Sequence, residues 1–117
     1  MTSAIEELDK LLKEHKIRFG RSDGENAMSA QQITWPRTNK INKFRISVMY
    51  GPGTYGYRDG FLELLVVKKT DTEIAKHLLK QEPYEKGIFS GGIFVVSAKE
   101  AFDCIKGFND NMIKTMN

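Results

Sequence analysis

Cysteine is almost absent: Cys104 is the only one in 117 residues. One thiol closes no internal disulfide and builds no cysteine zinc site. Stability must therefore come from an apolar core, and a reducing compartment is expected. Histidine is nearly as scarce. His15 and His77 stand far apart, with no second ligand at metal spacing near either. A zinc or iron site needs at least three such groups, so no metal and no cofactor are expected.

Long apolar runs are missing too. The longest, residues 61–67, is interrupted by Glu63 and falls far short of the roughly 20 residues of a membrane span. No membrane association is expected. The first residues alternate acidic and basic, unlike a secretory signal, which gives a cytoplasmic expectation. Acidic residues are absent from one stretch altogether. From residue 26 to 58 there is no Asp or Glu, while Arg37, Lys40, Lys43, Arg45 and Arg58 fall inside it. The overall charge is only +3. Such a local excess attracts polyanions or acidic proteins, or it is simply a solvated basic face.

With 40% hydrophobic and 28% charged residues, the chain reads as one ordinary globular domain spanning residues 1–117. Ser3 and Glu6 have capping-box spacing, and Ile5, Leu8, Leu11 and Leu12 follow at helical intervals, predicting a helix over about 4–15. Thr70 with Glu73 and Ser97 with Glu100 repeat the signal and predict helices over about 71–81 and 98–114. In the second, Ile74 and Leu78 are the expected apolar face, with Ala75 and Leu79 beside them. Gly107 is a candidate stop or kink in the third.

Strand signals lie between these helices. Phe44, Ile46 and Val48 alternate with Arg45, Ser47 and Met49, a period of two. With the run 61–67 they predict an antiparallel hairpin over about 43–67, joined by the loop 51–60. Another strand is expected near 92–96, with Ile88 and Phe89 as a second short strand or part of a bulge. Ile17 and Phe19 suggest a short strand. Residues 20–26 read as loop, and 27–34 show no clear pattern. The fold class is α+β, a small antiparallel sheet packed by three helices.

Gly51, Gly53 and Gly56 match G-x-G-x-x-G. In dinucleotide folds that motif lies between a strand and a helix, whereas here it falls between two strands. It is therefore either a hairpin turn that needs positive φ angles or a loop whose free amides approach a phosphate. Tyr50, Tyr55, Tyr57 and Arg58 surround it, and Tyr and Arg commonly anchor binding surfaces. Trp35 and Arg37 lie upstream. The expected binding residues are Trp35, Arg37, Lys40, Lys43, Arg45, Tyr50, Gly53, Tyr55, Tyr57 and Arg58. Trp35 and Tyr50 are equally readable as core aromatics.

No catalytic residues are expected. Cys104 falls on the apolar face of the third helix with no base assignable to it, the setting of an inert packed thiol. Glu63 reads as a wet-face strand residue or a cross-strand partner of Arg45. The functional expectation is a small non-enzymatic binding or inhibitor protein. Its size and balance suit a phage or mobile-element accessory protein, by analogy of class alone. An acidic protein surface is the expected partner. The alternative is a nucleic-acid or nucleotide binder using the basic, aromatic stretch 35–58.

Overall fold

The computed structural model describes residues 2–25, 29–37, 46–86 and 91–116. They form an α+β fold with three helices, α1 (Ala4–Glu14), α2 (Lys69–Leu79) and α3 (Ala98–Met116). Six short strands, β1 (Gly20–Ser22), β2 (Gln31–Trp35), β3 (Ile46–Tyr50), β4 (Leu62–Val66), β5 (Glu85–Lys86) and β6 (Gly92–Val96), make one sheet. Its order is β1-β2-β3-β4-β6-β5, and every neighbouring pair is antiparallel.

All three helices lie on one face of the sheet. Alternation dictates the choice: Ile33 and Trp35, Ile46 and Val48, Leu62, Leu64 and Val66, and Phe94 and Val96 are buried on that side. Ile5, Leu8 and Leu12 of α1 meet them, as do Ala101, Phe102, Cys104, Ile105 and Phe108 of α3. α3 packs between α1 and α2. A Cβ on Gly107 would meet Leu78 Cδ2 at 2.7 Å, so this glycine permits close α2–α3 packing. It does not stop the helix, which continues to Met116.

Two caps form as their spacing predicts. The Glu6 amide donates to Ser3 Oγ. Ser97 and Glu100 close a reciprocal box, each amide donating to the other side chain at 2.9 and 3.1 Å. The middle helix differs. It begins at Lys69 with Lys68 as N-cap, and the Thr72 hydroxyl donates to the Lys68 carbonyl. Its buried face is Asp71, Thr72, Ala75 and Leu79, while Ile74 is exposed. Of the expected apolar face, Ala75 and Leu79 are buried and Leu78 packs against the core, whereas Ile74 turns outward and Asp71 and Thr72 take the inward side. The Asp71 carboxylate keeps one buried oxygen without a hydrogen-bond partner among the described residues.

The hairpin strands are β3 and β4. Residues 43–45, like Ile88 and Phe89, lie outside the described residues. Residues 20–22 are a strand rather than loop. Ile17 belongs to the turn after α1, its amide donating to the Leu12 carbonyl. The unpatterned region contributes β2, which pairs with both β1 and β3.

Candidate functional site

The loop between β3 and β4 folds back over the sheet face opposite the helices. Glu63 and Val95 point to that face, because their strand neighbours are buried on the other. The Tyr55 amide donates to the Glu63 carboxylate at 3.1 Å. Gly56 sits so close to the sheet that a Cβ would meet Val95 Cγ1 at 2.6 Å and Phe61 Cβ at 2.9 Å. Gly53, Gly56 and Gly60 all have φ between 80° and 88°, the left-handed region that favours glycine. A single 3-10 turn, Tyr57–Asp59, follows Gly56.

Most of the loop's amides are already engaged. Thr54 N donates to Gly51 O, Tyr57 N to Thr54 O, Asp59 and Phe61 N to Gly56 O, and Gly60 N to Tyr57 O. The Gly51 amide donates to Thr54 Oγ1. A carboxylate, Glu63, occupies the position where a phosphate would need the Tyr55 amide. The glycine spacing therefore serves a tight hairpin connection, and no α-helix begins near Gly53 to present free amides to an anion.

Two aromatic contacts grow from this loop. The Tyr55 ring lies 4.9 Å from that of Tyr84, between centroids. Its hydroxyl donates to Glu85, and that bond to a carboxylate raises the phenol's pKa above its ordinary value. Tyr57 packs edge-on to Tyr50 at 4.9 Å. Tyr55, Phe61 and Tyr84 are three of the four exposed large apolar side chains among the described residues; the fourth, Ile74, lies on α2. Phe61 adjoins Gly56, and its amide bonds the Gly56 carbonyl. Tyr55 and Tyr84 are in contact and Phe61 adjoins the residue after Tyr55, with Glu63 and Glu85 bonded to Tyr55 and Arg58 and Asp59 in the same loop.

The expected site residues divide into separate groups. Tyr50, Gly53, Tyr55, Tyr57 and Arg58 are brought together by the loop. Trp35 is not with them. It is 3% exposed, tilted against Phe108 at 6.3 Å, and is a core residue. Register separates it further: Gln31 pairs with Tyr50 and Trp35 with Ile46, so Trp35 and the loop lie at opposite ends of β2–β3, about 13 Å apart at strand rise. Arg37 goes with Trp35's end. Lys40, Lys43 and Arg45 lie outside the described residues. Tyr84 and Phe61 were not among the expected residues, because only the β4–β6 pairing brings Tyr84 to the loop.

At the Arg37 end, Arg21 of β1 bonds Glu6 and Asp9 of α1 and Asp23 of its own loop. These bonds, led by that to Glu6, raise the guanidinium's pKa. Burial alone would push Asp9 up, but hydrogen bonds from Lys13 and Arg21 outweigh it and hold the carboxyl below its usual range. Cys104 is fully buried, and desolvation pushes its thiol up to about 12. His15 lies against the Phe102 ring, with Nδ1 2.9 Å from the Leu11 carbonyl oxygen. Among the described residues no three His, Cys, Asp or Glu side chains are grouped as metal ligands, and no helix is long and apolar enough to cross a membrane. Comparison with protein families, with curated proteins and with solved structures finds no match.

Proposed function

We propose that this is a small non-enzymatic binding protein that engages a protein partner through the face built by Tyr55, Phe61 and Tyr84. The observation that carries this reading is their convergence. Isolated surface apolar residues are ordinary, whereas grouped exposed aromatics mark contact surfaces. Tyrosine supplies large area at small entropic cost, and here part of that cost is met before binding. Glu63 fixes the loop backbone and Glu85 holds the Tyr55 hydroxyl, so the face is preorganised.

Charge sets the partner's character. Among the described residues, Asp59, Glu63 and Glu85 outnumber Arg58 beside the patch, and the exposed cation Arg37 lies at the far end of β2. The complementary surface is therefore apolar at its centre and basic at its rim, not the acidic surface that composition suggests. The test is affinity capture from nuclease-treated extract with the native protein and with Tyr55→Ala and Tyr84→Ala variants. A protein retained by the native chain should be lost from the variants, each costing about 1–2 kcal/mol of affinity if it is a hot spot. Equal retention on all three would refute the assignment.

A further inference from the structure

A second surface lies at the other end of the sheet. There the end of α1, the chain entering β1 and the chain leaving β2 enclose a groove of about 350 Å³. Lys13, Arg18, Arg21 and Arg37 line it, and Asp9 is its one acidic lining residue. Both Asp9 oxygens are engaged, Oδ1 by Lys13 and Oδ2 by Arg21, each at 2.8 Å. Arg18 and Arg37 are exposed and make no ion pair among the described residues. Among the described residues their charge is uncompensated, and Lys16 stands exposed beside them in the chain.

The neighbouring helix end does not cancel this field. The negative end of α1 would favour cations, but its last carbonyls already accept amides: Leu11 from His15, Leu12 from Ile17 and Lys13 from Lys16. Phe19, half-buried and packed against the core, also lines the groove and brings an aromatic ring beside Arg18 in the chain.

We infer that this groove binds the phosphate backbone of single-stranded nucleic acid. Guanidinium forks match phosphate oxygens in bidentate geometry better than ammonium groups do. Cations that follow a backbone beside an aromatic platform for a base are the general arrangement for single-strand binding. An acidic protein would use the cations but have no need of the ring. The sequence placed Arg37 in such a role; Lys13, Arg18 and Phe19 join it only through the fold.

The test is fluorescence anisotropy of a labelled oligothymidine, titrated with the protein at 50 and 200 mM salt. Variants are Arg18→Gln/Arg37→Gln, Phe19→Ala and Tyr55→Ala. Contact with two to three phosphates gives about a tenfold loss of affinity between the two salt concentrations. The double arginine variant should bind at least tenfold more weakly with a flatter salt slope, and Phe19→Ala should weaken binding with the slope unchanged. Tyr55→Ala should bind like the native protein, which separates this surface from the aromatic face. Arg18 and Arg37 make no ion pair among the described residues, and circular dichroism verifies that their variants stay folded. Absence of oligonucleotide binding, or equal binding by the folded double variant, overturns the inference. So does equal competition by polyglutamate, which would assign the groove to an acidic protein.

Discussion

The Tyr55 amide and the Glu63 carboxylate, 3.1 Å apart, tie the loop between β3 and β4 to the strand that follows it. Glu63 interrupts the apolar run of β4, and its position now has a physical reason. It faces away from the helices, and it supplies an acceptor where the hairpin connection bends over the sheet. Without it, a loop rich in glycine would sample many conformations, and Tyr55 would not be held beside Tyr84.

Removing that acceptor should loosen the loop while leaving the core intact. Glu63→Ala is expected to speed exchange of the Tyr55 amide proton, read by NMR, and to cost about 1 kcal/mol in urea unfolding. Glu63→Gln keeps an acceptor oxygen and should fall between the two. An unchanged exchange rate in the alanine variant would mean that the tie does not govern the loop.

The thiol of Cys104 should be inert in the native protein. It is fully buried on α3, and desolvation holds its pKa near 12, whereas thiol reactivity depends on the thiolate. Labelling by a disulfide reagent should be negligible in water and rise with denaturant in parallel with global unfolding. Adding reductant should leave stability unchanged. Rapid labelling without denaturant would show that α3 opens locally.

Arg21 should matter more than any other charged residue described. It joins β1, an edge strand of three residues, to α1 through Glu6 and Asp9. Arg21→Ala should cost about 2–3 kcal/mol, less than for a fully buried pair because Glu6 and Asp23 are open to solvent. The pH dependence follows from the carboxyls. Asp9 and Asp23 are held below their ordinary values, so the stability they contribute is present above about pH 3.9. It is lost as pH falls through their folded values. The native protein and Arg21→Ala should therefore differ most near neutral pH and converge in acid, as urea titrations at pH 7 and pH 3 would reveal.

Local signals were legible in the sequence; long-range pairings were not. The three helices could be read from apolar spacing, and two of their caps from Ser–x–x–Glu pairs, because helix and cap are built from neighbours in the chain. β3 and β4 could be read from alternation. β1 carries Gly20, Arg21 and Ser22, with no apolar period, and it is a strand because β2 lies beside it and Arg21 anchors it to α1. On α2, Ala75, Leu78 and Leu79 were legible, but the inward Asp71 and Thr72 were not, because Ile74 looked the natural choice. The aromatic face was half legible. Tyr55 was expected, whereas Tyr84 is 29 positions away and meets it only through the β4–β6–β5 pairing. Trp35 stood near the tyrosines in the sequence, but the register of β2 and β3 places it at the other end.

The loop glycines offer the sharpest discrimination, because two of them share a backbone conformation and differ in what surrounds them. Gly53 has φ 88°, and a Cβ there meets nothing within 4 Å. Gly53→Ala should therefore cost only the left-handed backbone penalty, about 1–2 kcal/mol. Gly56 has φ 81° but presses against Val95 Cγ1 and Phe61 Cβ. Gly56→Ala adds overpacking of about 1–3 kcal/mol to the same backbone cost. The Val95 branch can be removed, so Gly56→Ala/Val95→Ala should recover part of the overpacking cost and show coupling in a double-mutant cycle. The Phe61 Cβ is fixed by its backbone, and recovery should be incomplete. Urea unfolding of the four proteins measures this. Equal destabilisation by Gly53→Ala and Gly56→Ala would mean that the loop does not press on the sheet. The aromatic face would then lack the support on which its proposed role rests.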